Sequence, residues 1–113
     1  MAAREPIQGA ALFYMWRLQG IQELCRKLGY CVAVHGSLNY DLDLVAIPWV
    51  EDAVGHVELI QGICDFIGGS CVGDPTQKPH GRIAYTISFG GGPHIDLSVT
   101  PTLPPPATDD NKL

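Results

Sequence analysis

Three aspartates and a Gly-Ser turn are the residues of this chain whose types and spacing could do chemistry. Asp41 and Asp43 flank one leucine in "DLDLVAI", and Asp96 sits in "HIDLSV". An aspartate is a poor strand former, yet all three fall at or inside stretches that read as strands. Period two puts Asp41, Asp43, Val45 and Ile47 on one side of their strand, and Leu42, Leu44 and Ala46 on the other. If the leucine side is packed, both aspartates point away from the core. Asp96 joins them if Ile95, Leu97 and Val99 pack inward. Converging carboxylates repel and raise one another's pKa. A divalent cation relieves that repulsion, and Mg²⁺ (or Mn²⁺) takes hard oxygen ligands while keeping room for substrate phosphates. Paired ions of this kind clamp attacking and leaving oxygens in phosphoryl or nucleotidyl transfer.

Further polar groups flank this set. "TQKPHGR" supplies Lys78, His80 and Arg82 just before a strand. An arginine on the polar face could hold a phosphate bidentately, and His80 could act as a general acid or base. Other readings stay open. Gly36-Ser37 serves equally as a plain hairpin turn, and Asp41 can cap backbone amides. Asp96 can lie on an exposed strand face. His80 and Arg82 can be a solvated loop and a rim salt bridge. His35 and His94 with Asp43 or Asp96 would form a transition-metal site. Asp43 is hardest to explain without a role, because it interrupts an apolar run.

The elements that must position these groups follow from periodicity. Residues 6–28 read as a helix, with Ile7, Ala10, Tyr14, Leu18, Ile21, Cys25 and Leu28 at steps of three and four; Pro6 suits its start and Gly29 its stop. Residues 31–35 and 41–47 read as strands, the second ended by Pro48. Residues 51–67 read as a second helix with Val54, Val57, Ile60, Cys64 and Ile67 as its stripe, stopped by Gly68-Gly69. Residues 70–81 form a polar loop with room for a short strand at Cys71-Val72. Residues 82–89 alternate, with Ile83, Tyr85, Ile87 and Phe89 on one face and Arg82, Ala84, Thr86 and Ser88 on the other. Gly90 to Pro93 is a hairpin connection, and 94–99 the last strand. The order predicts an α+β two-layer sandwich: a mixed sheet of about four strands with two helices on one face and a polar face left open. Residues 1–100 form the domain, and the proline-rich 101–113 a disordered or extended tail.

"GS" after a strand, "DLD" opening the next and a lone aspartate in "HIDLSV" resemble the nucleotidyltransferase superfamily with the DNA polymerase β-type fold. The overall pattern also looks like small phage-encoded nucleotidyltransferase-like proteins. The resemblance covers about residues 6–99 and implies a metal-dependent transfer of a nucleoside monophosphate from an NTP to a hydroxyl acceptor. It implies that Gly36 and Ser37 hold phosphate and that Asp41, Asp43 and Asp96 carry Mg²⁺ or Mn²⁺, with Asp96 also deprotonating the acceptor. The chain departs from the family in two places. Only Leu38, Asn39 and Tyr40 separate Gly36-Ser37 from Asp41, where the family usually has more residues including a short helical turn. A helix N-terminus to hold phosphate is thereby missing. His35 stands where an apolar residue is usual. A catalytically degenerate nucleotide- or protein-binding module of the same fold is the alternative, and an interaction protein without ligand a third.

The bulk numbers bound the rest. With 113 residues the chain is one small domain. Its net charge of −5 and pI of about 5.1, with no Lys/Arg-rich run, disfavour sequence-independent binding to duplex nucleic acid. No secretory leader or membrane-spanning run is evident, so the expected location is the cytoplasm, the host's if phage-encoded. The four cysteines, Cys25, Cys31, Cys64 and Cys71, contain no C-x-x-C pair and read as reduced, small core residues. His56 reads as surface, and Trp16 and Trp49 as core or interface. An open sheet face makes a homodimer or a protein partner reasonable.

Overall fold

The computed structural model describes residues 10–36, 41–88 and 94–102. Helix α1 (Ala10–Lys27) leads into a hairpin of β1 (Tyr30–His35) and β2 (Leu42–Pro48), and α2 (His56–Ile67) follows. Two short strands, β3 (Ser70–Cys71) and β4 (Thr76–Gln77), precede a 3₁₀ turn at Pro79–Gly81, and β5 (Ile83–Ser88) and β6 (His94–Val99) complete the order. The sheet runs β1-β2-β6-β5-β3, with β4 also paired to β5. β6 enters between β2 and β5, parallel to β2 and antiparallel to β5. The architecture is the expected α+β sandwich, with six strands rather than about four because the loop after α2 pairs twice with β5.

Alternation decides which face is packed. Leu42, Leu44 and Ala46 of β2, Ile95, Leu97 and Val99 of β6, and Tyr85 and Ile87 of β5 are all buried under the helices. Ser98 breaks the alternation by being buried on the opposite face, where the Arg82 guanidinium donates to its hydroxyl at 3.2 Å. Leu44 lies on β2, an interior strand of the sheet, and is fully enclosed. Leu44→Ala should therefore lower unfolding stability by about 3 kcal/mol in urea denaturation, through lost burial and the cavity left behind.

The helices correct the sequence reading in two respects. α2 begins at His56, not at residue 51, because the Val54 amide donates to the Leu28 carbonyl at 3.0 Å and ties that segment to the end of α1. The stripe expected for the second helix includes Val57 and leaves out Leu59 and Ile63. The sheet selects Leu59, Ile60, Ile63, Cys64 and Ile67, leaving Val57 68% exposed. Trp16 and Trp49 are both largely exposed, not core. Of the cysteines, Cys25 and Cys64 are buried as expected, whereas Cys31 and Cys71 are exposed. Burial pushes the Cys25 thiol up to about 12. No described helix is long and apolar enough to cross a membrane. Residues 6–9 of the first expected helix, the 90–93 connection and most of the tail lie outside the described residues.

Candidate functional site

Pairing register turns the alternating strands into rows across the sheet face that points away from the helices. His35 of β1 lies opposite Asp43 of β2, Asp43 opposite Asp96 of β6, and Asp96 opposite Thr86 of β5. Directly opposed residues present side chains on the same face a few ångströms apart, so two carboxylates stand side by side between a histidine and a threonine. The Thr86 hydroxyl donates to Asp96 Oδ1 at 3.2 Å. Asp41, just ahead of β2, accepts the His94 backbone amide at 2.9 Å through Oδ1 and shares a hydrogen bond with the Asp96 carboxyl. The amide-capping alternative for Asp41 is thus met at one oxygen, and the same residue still reaches the acidic cluster.

The electrostatics follow from this crowding. Burial, then the neighbouring Asp41 carboxylate, and more weakly Asp43, hold the Asp96 carboxyl above the usual carboxylate range, against the Thr86 hydrogen bond that lowers it. A raised folded-state pKa favours the native state where the group is protonated in both states, and that benefit is lost as pH rises through the folded value. Asp96→Asn should therefore raise the melting temperature of the metal-free protein at pH 7. The advantage should shrink as pH falls below the unfolded value of about 3.9, as read by thermal melts across that range.

Gly36 closes β1 with a left-handed φ of +81°. A Cβ built there would run into Asp43 Oδ2 and sit 3.0 Å from its Cγ, so the backbone at Gly36 approaches the carboxylate as closely as only a glycine allows. Ser37 lies outside the described residues.

Beside Asp96 a cavity of about 500 Å³ opens between the sheet face and the β4 segment, with Asp74, Thr76, Lys78, Arg82, Thr86 and Ser98 in its wall together with His35. Lys78 and Arg82 thus share a cavity with Asp96, whereas Asp41 and Asp43 do not line it. Arg82 is aimed by two hydrogen bonds, Nε to the Pro79 carbonyl at 3.3 Å and Nη1 to Ser98. His80 is exposed on the 3₁₀ turn with a φ of +66° and does not line the cavity. Asp74 and Thr76 were missed in the sequence, where the polar loop around Lys78 was the sole signal. His56 was also misjudged: it is half-buried, and its Nδ1 shares a hydrogen bond with the Tyr85 hydroxyl.

Among the described residues no three His, Cys, Asp or Glu side chains are placed so that together they could hold a metal ion, neither the three aspartates nor the histidine alternative. The chemistry of the acidic set nevertheless fits a hard divalent cation. It is all oxygen, and Asp96 within it is held above the usual carboxylate range by burial and by its acidic neighbours.

No protein-family model and no curated sequence matches the chain. Solved structures do. A cytoplasmic RNA terminal U-transferase is similar at 12% identity with a TM-score of 0.57, over 84% of this chain and 30% of that one. The fold is nucleotidyltransferase-like. The Cid1 poly(U) polymerase matches as well: with MgGTP bound at 14% identity and a TM-score of 0.52, over 84% of this chain and 33% of that one, and with Mg 3′-dATP bound at 16% and 0.50, over 84% and 32%. The chain therefore spans about a third of the length of the structures it matches.

Proposed function

We propose that this chain is a minimal metal-dependent nucleotidyltransferase that moves a nucleoside monophosphate from an NTP to a hydroxyl acceptor. The observation that supports this most is the pairing of Asp43 with Asp96 on adjacent parallel strands, with Asp41 hydrogen-bonded to Asp96, beside a cavity walled by Lys78 and Arg82. Structures of the same fold hold MgGTP and Mg 3′-dATP, and another is a cytoplasmic RNA terminal U-transferase. An RNA 3′-hydroxyl is accordingly the first acceptor to test.

In this scheme Asp41, Asp43 and Asp96 would hold Mg²⁺ or Mn²⁺, which supplies charge neutralisation and polarisation of phosphate oxygens when bound. Gly36 and Ser37 would hold the phosphates, Gly36 with its bare backbone. Arg82 and Lys78 hold the phosphate charge from the cavity wall, Arg82 pre-aimed by Ser98 and Pro79. The acceptor oxygen attacks the α-phosphorus, the bond from that phosphorus to the bridging oxygen breaks, and pyrophosphate leaves with the electron pair. Asp96 takes the acceptor proton. His80, outside the cavity, takes no part in this scheme.

Thermal melts with Mg²⁺ or Mn²⁺ and each NTP test the binding half, because a ligand of the native state at a hundred times its Kd stabilises by about 2.7 kcal/mol. Pyrophosphate release with a single-stranded RNA oligonucleotide tests the transfer half. A shift requiring metal and NTP together, with pyrophosphate release, is expected. A shift without any release on RNA, DNA or protein hydroxyls would make the chain a nucleotide-binding module, and no shift with metal or NTP would end the reading.

A further inference from the structure

Cys64 and Cys71 lie on opposite sides of the Gly68-Gly69 turn. Cys64 is in the last turn of α2, on its buried face. Its carbonyl accepts both the Gly68 amide at 2.9 Å and the Gly69 amide at 3.0 Å, and this double closure turns the chain straight back into β3. Cys71 then pairs with Ile87. Opposed residues of an antiparallel pair share a face, and Ile87 is fully buried beneath the helices, so the Cys71 side chain also points to the helix side, toward α2. The two thiols lie close enough there for Cys71 to raise the pKa of Cys64. Cys64 is enclosed, while Cys71, on the outermost strand of the sheet, is open to solvent.

We propose that Cys64 and Cys71 are a thiol–disulfide site, oxidised by a glutathione-type disulfide to a bond that staples β3 to the end of α2. The exposed Cys71 thiolate attacks one sulfur of oxidised glutathione, whose sulfur–sulfur bond breaks and releases one glutathione thiolate. Cys64 then loses its proton to solvent and attacks Cys71 Sγ, and the second glutathione leaves with the electron pair. Two protein thiols are oxidised and one glutathione disulfide is reduced. The order is set by access: burial, then Cys71 and Asp65, push the Cys64 thiol up to about 11, so Cys64 serves as the resolving partner. The strand so anchored is the root of the cavity wall, since Asp74, Thr76 and Lys78 follow Cys71 directly in sequence. The inference does not depend on the nucleotide reading.

The test is incubation of the whole chain with oxidised glutathione, alkylation of remaining thiols, and digestion with chymotrypsin, whose cleavage after Phe66 separates the two cysteines. The expected product is one Cys64–Cys71 linked peptide, formed equally by Cys31→Ser, absent in Cys71→Ser, and released by dithiothreitol. The oxidised protein should melt roughly 5–10 °C higher than the reduced one. Persistent glutathione on Cys71 with Cys64 still open to alkylation in the unfolded protein, linkage through Cys31 instead, or two unreacted thiols would each overturn the proposal.

Discussion

Asp43→Asn is expected to lower nucleotidyl transfer by about 10³-fold, some 4 kcal/mol of transition-state stabilisation, while leaving the fold in place. The substitution keeps the shape of the side chain and removes its charge at the middle of the row, between His35 and Asp96. It also removes one of the carboxylates that raise Asp96, so the metal-free protein should be no less stable than wild type. The readouts are transfer to an RNA 3′-hydroxyl and the metal-plus-NTP thermal shift, with circular dichroism as the check on folding. Chelation of divalent cations should abolish transfer in the wild type to the same extent. A variant that retained both transfer and shift would remove Asp43, and with it the acidic row, from the mechanism.

The second large effect is at a residue without a side chain. Gly36→Ala should cost stability by about 1 kcal/mol from the left-handed backbone alone, and transfer by about 10²-fold because the new methyl displaces the Asp43 carboxylate. A matched control exists in the same chain. Gly68 caps α2 at a φ of +73°, close to the +81° of Gly36, but a Cβ there meets nothing within 4 Å. Gly68→Ala should lose the same stability and leave transfer unchanged. Urea denaturation and the transfer assay on both variants separate backbone strain from the close approach. Equal losses of transfer would mean that Gly36 matters as a turn and not as a neighbour of Asp43.

Much of the architecture was legible because the strands alternate cleanly. Leu42, Leu44 and Ala46 against Asp43 and Val45, and Ile95 and Leu97 against Asp96, have one packing solution each, and both are realised. The capping glycines at 68-69 were equally readable. The second helix was less so. Val57 and Leu59 sit on competing stripes, and α2 takes its phase from the sheet and from the Val54–Leu28 tie, neither of which is a local property. The exposed Cys31 illustrates the same limit, since a small apolar residue on a strand is buried or exposed according to which face its register assigns, and Cys71 is exposed because its strand lies at the edge of the sheet.

The sequence by itself determined which side chains leave the core: period two committed Asp43 and Asp96 to the polar face of their strands, whatever strands lay next to them. Only the tertiary structure decided that they are neighbours. That outcome depends on β6 inserting beside β2 in parallel, with Asp43 opposite Asp96 and Thr86 next along the row. Register between strands distant in sequence is set by packing of their shared apolar face. A shift by one residue would turn Leu97 outward and Asp96 into the helices. The aiming of Arg82 by Ser98 comes from that same packing.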